Sequence, residues 1–202
     1  MTLEAGYFDS MYAASADPWG FTSRWYELRK YAISLAMLPQ QRYQEAFEPG
    51  CSIGVFTEML APRCARLLSC DVAAAAVRAA AARTRHLPQA RVERRVLPGD
   101  WPEGLFDLIV LSEILYYFGG DDLDRVLDLA TGALRLGGTL LAVHWLHPVA
   151  EYPRSGEEVH GELAVRAGLA RLAGHRERDF LAEVFIRADG EPASVAQAAG
   201  LA

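Results

Sequence analysis

Glu48-Pro49-Gly50-Cys51-Ser52-Ile53-Gly54 is the stretch that decides how this chain folds. Ala46 and Phe47 lead into it as an apolar run, and Val55, Phe56, Met59 and Leu60 leave it with helical spacing. That order predicts a strand handing over to a helix through a glycine turn. Gly50 lets the backbone turn off the strand and approach a ligand. Gly54 is expected to let the helix pack tightly on the sheet. The open helix N-terminus leaves N–H donors for a ligand's oxygen atoms.

The spacing is G-x-x-x-G, with Ser52 where a dinucleotide fingerprint has its second glycine. A pyrophosphate needs that glycine to reach the backbone. Glu48 adds a carboxylate at the strand end, which attracts cations and repels phosphate. A nucleoside carrying an amino group and a sulfonium therefore fits better than a nicotinamide dinucleotide.

The chain has 202 residues, 51% hydrophobic and 23% charged, which predicts one large domain with a full core. Its net charge of -6 disfavours nucleic acid or an anionic membrane as partner. No signal peptide is read at the N-terminus, and no apolar run reaches the length of a membrane span. Cys51, Cys64 and Cys70 form no C-x-x-C pair, so no metal site is expected. A reduced cytoplasm is the simplest context.

Outward from the glycine turn, elements alternate. Residues 1–40 are rich in aromatics, and Trp25, Leu28, Ile33, Leu35 and Leu38, interleaved with charge, predict an amphipathic helix placed before the core as a cap or lid. Trp25 and Tyr31 are expected to pack that cap on the core. Strands are predicted at 66–71, 91–97, 106–111 and 139–145, the 106–111 run being apolar enough for a central parallel strand. A helix over about 72–86 is alanine-dense. Another runs from a cap at Asp121 to about Leu136, closed by Gly137-Gly138. Residues 146–160 read as a loop, followed by a helix to about Ala173 and a last strand over 180–187 that can be antiparallel. A cap over 1–40, a core over 41–189 and a frayed tail over 190–202 result. The fold class is α/β: a doubly wound, Rossmann-like, mostly parallel sheet with helices on both faces.

In such a sheet the ligand lies beyond the carboxyl ends of the strands. Those ends hold 48–54, Asp71, Ser112-Glu113 and His144-Trp145. Asp71 can accept both hydrogen bonds of a ribose diol; capping the next helix is the plainer alternative. Asp100, followed by Trp101, can accept from an adenine amino group, unless Gly99-Asp100 is only a turn. Glu113 can take a proton or hold an ammonium, or merely orient backbone. His144 and His160 are candidates for the site or satisfied core groups.

The residues resemble class I S-adenosylmethionine-dependent methyltransferases in their order: Glu48, Gly50, Gly54, Asp71, Gly99-Asp100 and the strand from Phe106. More narrowly, the chain is similar to the nodulation protein S family. That likeness covers about residues 7–186. It is carried by Asp17-Pro18-Trp19, Tyr26-Glu27, Lys30, Gly50-Cys51-Ser52-Ile53-Gly54, Ser112-Glu113-Ile114-Leu115-Tyr116-Tyr117, His144-Trp145 and Gly156-Glu157-Glu158-Val159-His160. Pro49 and Glu157 depart from the family pattern.

The resemblance implies a seven-stranded sheet and methyl transfer from S-adenosyl-L-methionine to a small-molecule acceptor, an amine or amino sugar in particular. It implies cofactor contacts at Glu48, Gly50, Cys51, Ser52, Gly54, Asp71, Val72, Asp100, Trp101 and Ser112, and from the cap at Trp19, Tyr26 and Lys30. Lys30 or Arg29 would pair with the cofactor carboxylate. Glu113 and His144 stand as catalytic candidates, and Tyr116, Tyr117, Trp145 and His160 as acceptor contacts. The enzyme would act as a monomer or homodimer. O- or C-methylation, a nicotinamide-dependent oxidoreductase and a non-catalytic S-adenosylmethionine-binding protein are the other readings.

Overall fold

The computed structural model describes residues 1–202. Two helices come first, α1 (Ala5–Ala14) and α2 (Trp25–Met37). Then follow β1 (Tyr43–Pro49), α3 (Val55–Leu60), β2 (Cys64–Asp71), α4 (Ala74–Thr84), β3 (Ala90–Arg94), β4 (Phe106–Ser112), α5 (Gly120–Ala133) and β5 (Leu134–Trp145). The chain ends in α6 (Gly156–Ala164), β6 (Leu169–Arg176), β7 (Phe180–Arg187) and α7 (Val195–Ala198). No helix is long and apolar enough to cross a membrane.

The seven strands order as β3-β2-β1-β4-β5-β7-β6. The first five are parallel; β7 runs antiparallel to both β5 and β6. Strand β4 shows why its sequence is apolar throughout. Leu108 and Val110 point into the core under α2, α3 and α4, while Ile109 and Leu111 point into the core under α5 and α6. All four are fully buried, so a strand covered on both faces needs no polar alternation. The order reverses between β1 and β4, and there a crevice opens past the strand ends.

Several boundaries differ from the sequence expectation. Helix α5 stops at Ala133, and Gly137-Gly138 lie inside β5 instead of closing a helix. Leu134 already pairs with Phe106, and the register then jumps to Leu108 opposite Thr139, so the glycine pair sits in a bulge. Asp121 is in the first turn of α5, whose cap is Gly119. The helix expected up to Ala173 is only α6; residues 169–176 form β6, paired along its length with β7. Leucine and alanine favour helix weakly, and an available sheet edge outweighs that preference. The tail holds α7, a single exposed turn with a Ser194–Gln197 capping box.

Gly54 caps α3 at φ +78°, a left-handed conformation. A Cβ there would stand 2.8 Å from the Cα of Ala80 in α4. The close packing it permits is therefore helix on helix, not helix on sheet. Gly54→Ala combines a backbone penalty with a clash against main chain, and should cost more than about 2 kcal/mol of stability. Urea unfolding of the two proteins measures it.

Candidate active site

A cavity of about 750 Å³ occupies the crevice at the carboxyl ends of β1, β2, β4 and β5. Three groups of predicted residues line it. Gly50, Ser52, Asp71 and Val72 form one wall. Glu113, Tyr116, Tyr117 and Trp145 form the opposite one, and Trp19, Tyr26 and Lys30 reach in from the N-terminal segment.

The first wall is built by backbone hydrogen bonding. Gly50 turns off β1 at φ +74°, and Cys51 N–H donates to the Cys70 carbonyl at 2.9 Å. Ser52, at φ +50°, donates its N–H to Asp71 Oδ2 at 2.9 Å. Asp71 Oδ1 accepts the N–H of Ala73, also at 2.9 Å. Asp71 lines the cavity while its two oxygens hold the backbone before α4, whose N-cap Ala73 has no side-chain capping bond of its own. Burial raises its carboxyl above the usual range, and the backbone donors offset part of that. The Ser52 hydroxyl is 2.5 Å from the hydroxyl of Tyr12 on α1.

The opposite wall hangs on Glu113, which follows β4 at φ +56°. Its Oε1 is 2.5 Å from Lys30 Nζ. Its Oε2 accepts the Tyr116 hydroxyl and, at 3.0 Å, the backbone N–H of Trp145. Glu113 is thereby a pin joining α2, the turn after β4 and the end of β5. Behind it, Tyr116 stacks on Tyr152 with centroids 4.8 Å apart, and Tyr117 meets both rings edge-on.

Lys30 is 2% exposed and lies between Glu113 and Glu27, the latter 2.9 Å away, so two protein carboxylates already compensate its charge. Burial pushes its ammonium down, but the two carboxylates outweigh that and hold it above its ordinary value. Arg29 pairs with Glu177.

Eight predicted site residues lie outside the cavity lining. Glu48 is beneath the glycine turn, 3% exposed, bonded to the Ser69 hydroxyl at 2.8 Å, with burial lifting its carboxyl to about 7. Cys51 and Gly54 face the core and α4. Ser112 ends β4 just short of the cavity. Asp100 closes a turn by accepting Val96 N–H at 3.0 Å, and Trp101 packs edge-on against Phe47, so the adenine role expected of them is not carried by this geometry. Residues 95–97 line the cavity instead.

His144 and His160 are buried in the core, outside the cavity lining. His144 Nε2 accepts the N–H of Leu115 at 3.2 Å, so its proton is on Nδ1, which faces His160 Nε2 at 3.1 Å. His160 Nδ1 then donates to Glu183 at 2.7 Å. Burial holds His144 well below its usual value, with His160 and Lys30 adding to the effect.

With this geometry in place, likeness to known proteins becomes specific. Residues 10–135 match the family model described as Nodulation protein S (NodS). The chain belongs to the NodS family. It is 38% identical over 111 residues to nodulation protein S of Rhizobium tropici, covering 52% of this chain and 45% of that protein. The chain spans about half the length of the curated relatives it matches. Among solved structures, a candidate methyltransferase from Pseudomonas syringae is 45% identical with a TM-score of 0.72, covering 81% of this chain and all of that one. The N-methyltransferase NodS from Bradyrhizobium japonicum, in complex with S-adenosyl-L-homocysteine, is 25% identical with a TM-score of 0.81, covering 91% and 98%.

Against that NodS background, sequence reasoning missed Tyr12, Arg24, Glu27 and Tyr152 in the lining. The signal was present for Glu27. It belongs to the family-matching Tyr26-Glu27 pair, and α2 turns it inward: Glu27 and Lys30 are buried, whereas Trp25 is 74% exposed. Trp25 therefore does not pack the segment on the core, although Tyr31 does.

The buried acid and the buried histidine oppose each other in pH. Glu48 holds its proton in the folded state up to about 7, well above an ordinary glutamate, so the native state binds more protons in the window below that and stability falls as pH rises. His144 stays neutral when folded, so below 6.5 the unfolded state binds more protons and stability rises with pH. Between pH 5 and 6.5 the two partly cancel. Glu48→Gln should expose the histidine slope, with urea-derived stability rising across that interval more steeply than in the parent.

Proposed function

We propose that this chain is an S-adenosyl-L-methionine-dependent methyltransferase that N-methylates a small-molecule amine, an amino sugar being one such acceptor. The observation that carries this is the pairing of two unlike walls across one cavity: a glycine turn with a ribose-competent Asp71 facing a carboxylate and aromatic wall at Glu113. The family and the S-adenosyl-L-homocysteine complex of the B. japonicum N-methyltransferase support the reading.

The residues present fit the cofactor. Gly50 has no side chain to fill the cavity at the strand end, and Asp71 keeps lone pairs for a ribose diol while its other contacts hold it in place. Ser52 argues against a dinucleotide, because its N–H already donates to Asp71 and its hydroxyl is engaged with that of Tyr12. Bound there, the cofactor supplies an electrophilic methyl group on a sulfonium. The N-terminal segment, residues 1–40, acts as the cap, with Trp19 and Tyr26 enclosing the site. Tyr116, Tyr117 and Tyr152 exclude water from the acceptor side, which favours the neutral amine that alone can attack. The Glu113 pin keeps this wall in register with β5. Three buried free cysteines suit a reducing cytoplasm.

Calorimetry should detect S-adenosyl-L-homocysteine binding, and Asp71→Ala should weaken it by about tenfold or more, the worth of a lost charge-assisted hydrogen-bond pair. Isotopically labelled S-adenosyl-L-methionine, offered with amino sugars, other amines and phenols, should yield labelled N-methyl products by mass. Labelled phenols alone would turn the assignment to O-methylation.

A further inference from the structure

Glu27 is an ion-pair partner of Lys30 with no further role assigned to it. It is 7% exposed and lines the same cavity as Glu113. Its Oε2 is ion-paired with Lys30 Nζ at 2.9 Å, and no backbone, hydroxyl or second cationic donor reaches it. The neighbouring Tyr26 hydroxyl, in the same lining, is buried without a partner. Glu113 differs: its oxygens already take Lys30, Tyr116 and Trp145. Two carboxylates and one ammonium leave the cluster with one uncompensated negative charge when all are ionised. A buried anion with a spare acceptor is costly, and a cationic N–H donor offsets it.

We propose that Glu27 is the residue that receives the acceptor's ammonium and takes its proton, leaving Glu113 as a positioning residue. This rests on the methyltransferase reading above. The ammonium R–NH3+ passes one proton to the Glu27 carboxylate and becomes R–NH2. The nitrogen lone pair then forms the N–C bond to the methyl carbon while the C–S bond breaks, its electron pair staying on sulfur. The product leaves as R–NH2CH3+, and Glu27 returns its proton to solvent. The sulfonium's positive charge has moved to the product, so charge balances.

The surroundings suit that task. Burial raises the Glu27 carboxyl above its ordinary value, and Lys30 brings it part of the way back, with Arg24 adding to this. The titratable groups facing it are Lys30, Arg24, Glu113, Tyr26 and Tyr31. Of these five, Glu113 is the one carboxylate, and its oxygens already take Lys30, Tyr116 and Trp145.

Binding of S-adenosyl-L-homocysteine by calorimetry comes first, on the parent, Glu27→Gln and Glu27→Asp. Equal affinity within about twofold is expected, and equal unfolding midpoints show that the variants fold. A parent that fails to bind would bring down the methyltransferase reading itself. The amines methylated in the labelled-donor screen are then titrated into protein saturated with S-adenosyl-L-homocysteine. Glu27→Gln should lose about tenfold or more in amine affinity and roughly a hundredfold in kcat, with Glu27→Asp keeping part of both. The lost turnover should partly return as pH approaches the amine's own pKa. A Glu27→Gln protein that binds and turns over the amine within about threefold of the parent overturns the assignment. So does one whose only defect is in S-adenosyl-L-homocysteine affinity, since Glu27 would then serve the donor. A screen in which no amine is methylated removes the amine reading and this inference with it.

Discussion

A lysine ammonium buried between two carboxylates is the interaction on which the rest of the site depends. Lys30 reaches Glu113 at 2.5 Å and Glu27 at 2.9 Å, with almost no contact with water. Without it, two acids on different elements would face each other in a poorly solvated space, and one would have to take up a proton or move. With it, α2 is bound to the turn after β4, and through Glu113 to the backbone of β5. This explains why α2 buries its charged residues and leaves Trp25 in solvent. Apolar periodicity sets the default orientation of a helix, but a buried ion pair with fixed partners outweighs one exposed indole.

The sheet contributes by position more than by chemistry. Reversal of strand order between β1 and β4 leaves two strand ends unbridged by any direct crossover, and the cavity lies there. The walls then differ because they come from different halves of the fold. One is a turn whose N–H groups are tied to an aspartate. The other is a carboxylate and aromatic cluster whose acceptors are nearly saturated. A ligand with a nucleoside at one end and a reactive centre at the other can address both.

The parallel half of the fold was legible in the sequence because local signals and tertiary demands agree there. The glycine turn, the apolar run at Phe106 and the acid at Asp71 each have a local cause. Where the two conflict, the reading failed. Residues 169–176 look helical but pair with β7. Gly137-Gly138 look like a helix end but serve a bulge. In the site, Glu113 and the tyrosines were legible from their place after a central strand. Glu27 was not, because nothing in a single helix tells which face a partner carboxylate will claim. Asp100 was misplaced for a related reason: an aspartate after glycine satisfies its own turn before it can serve a ligand.

The histidine pair carries a consequence for how the protein senses its surroundings. The chain has five histidines, and two of them sit in one buried relay from the Leu115 N–H through His144 and His160 to Glu183. Each link has one donor and one acceptor, so the tautomers are fixed and the polarity runs in one direction only. An added proton on His144 would put two donors nose to nose at the link to Leu115, with no alternative partner inside the core. His144 is thus locked out of the role of physiological-pH titrant, held neutral by its burial beneath the turn that carries Glu113.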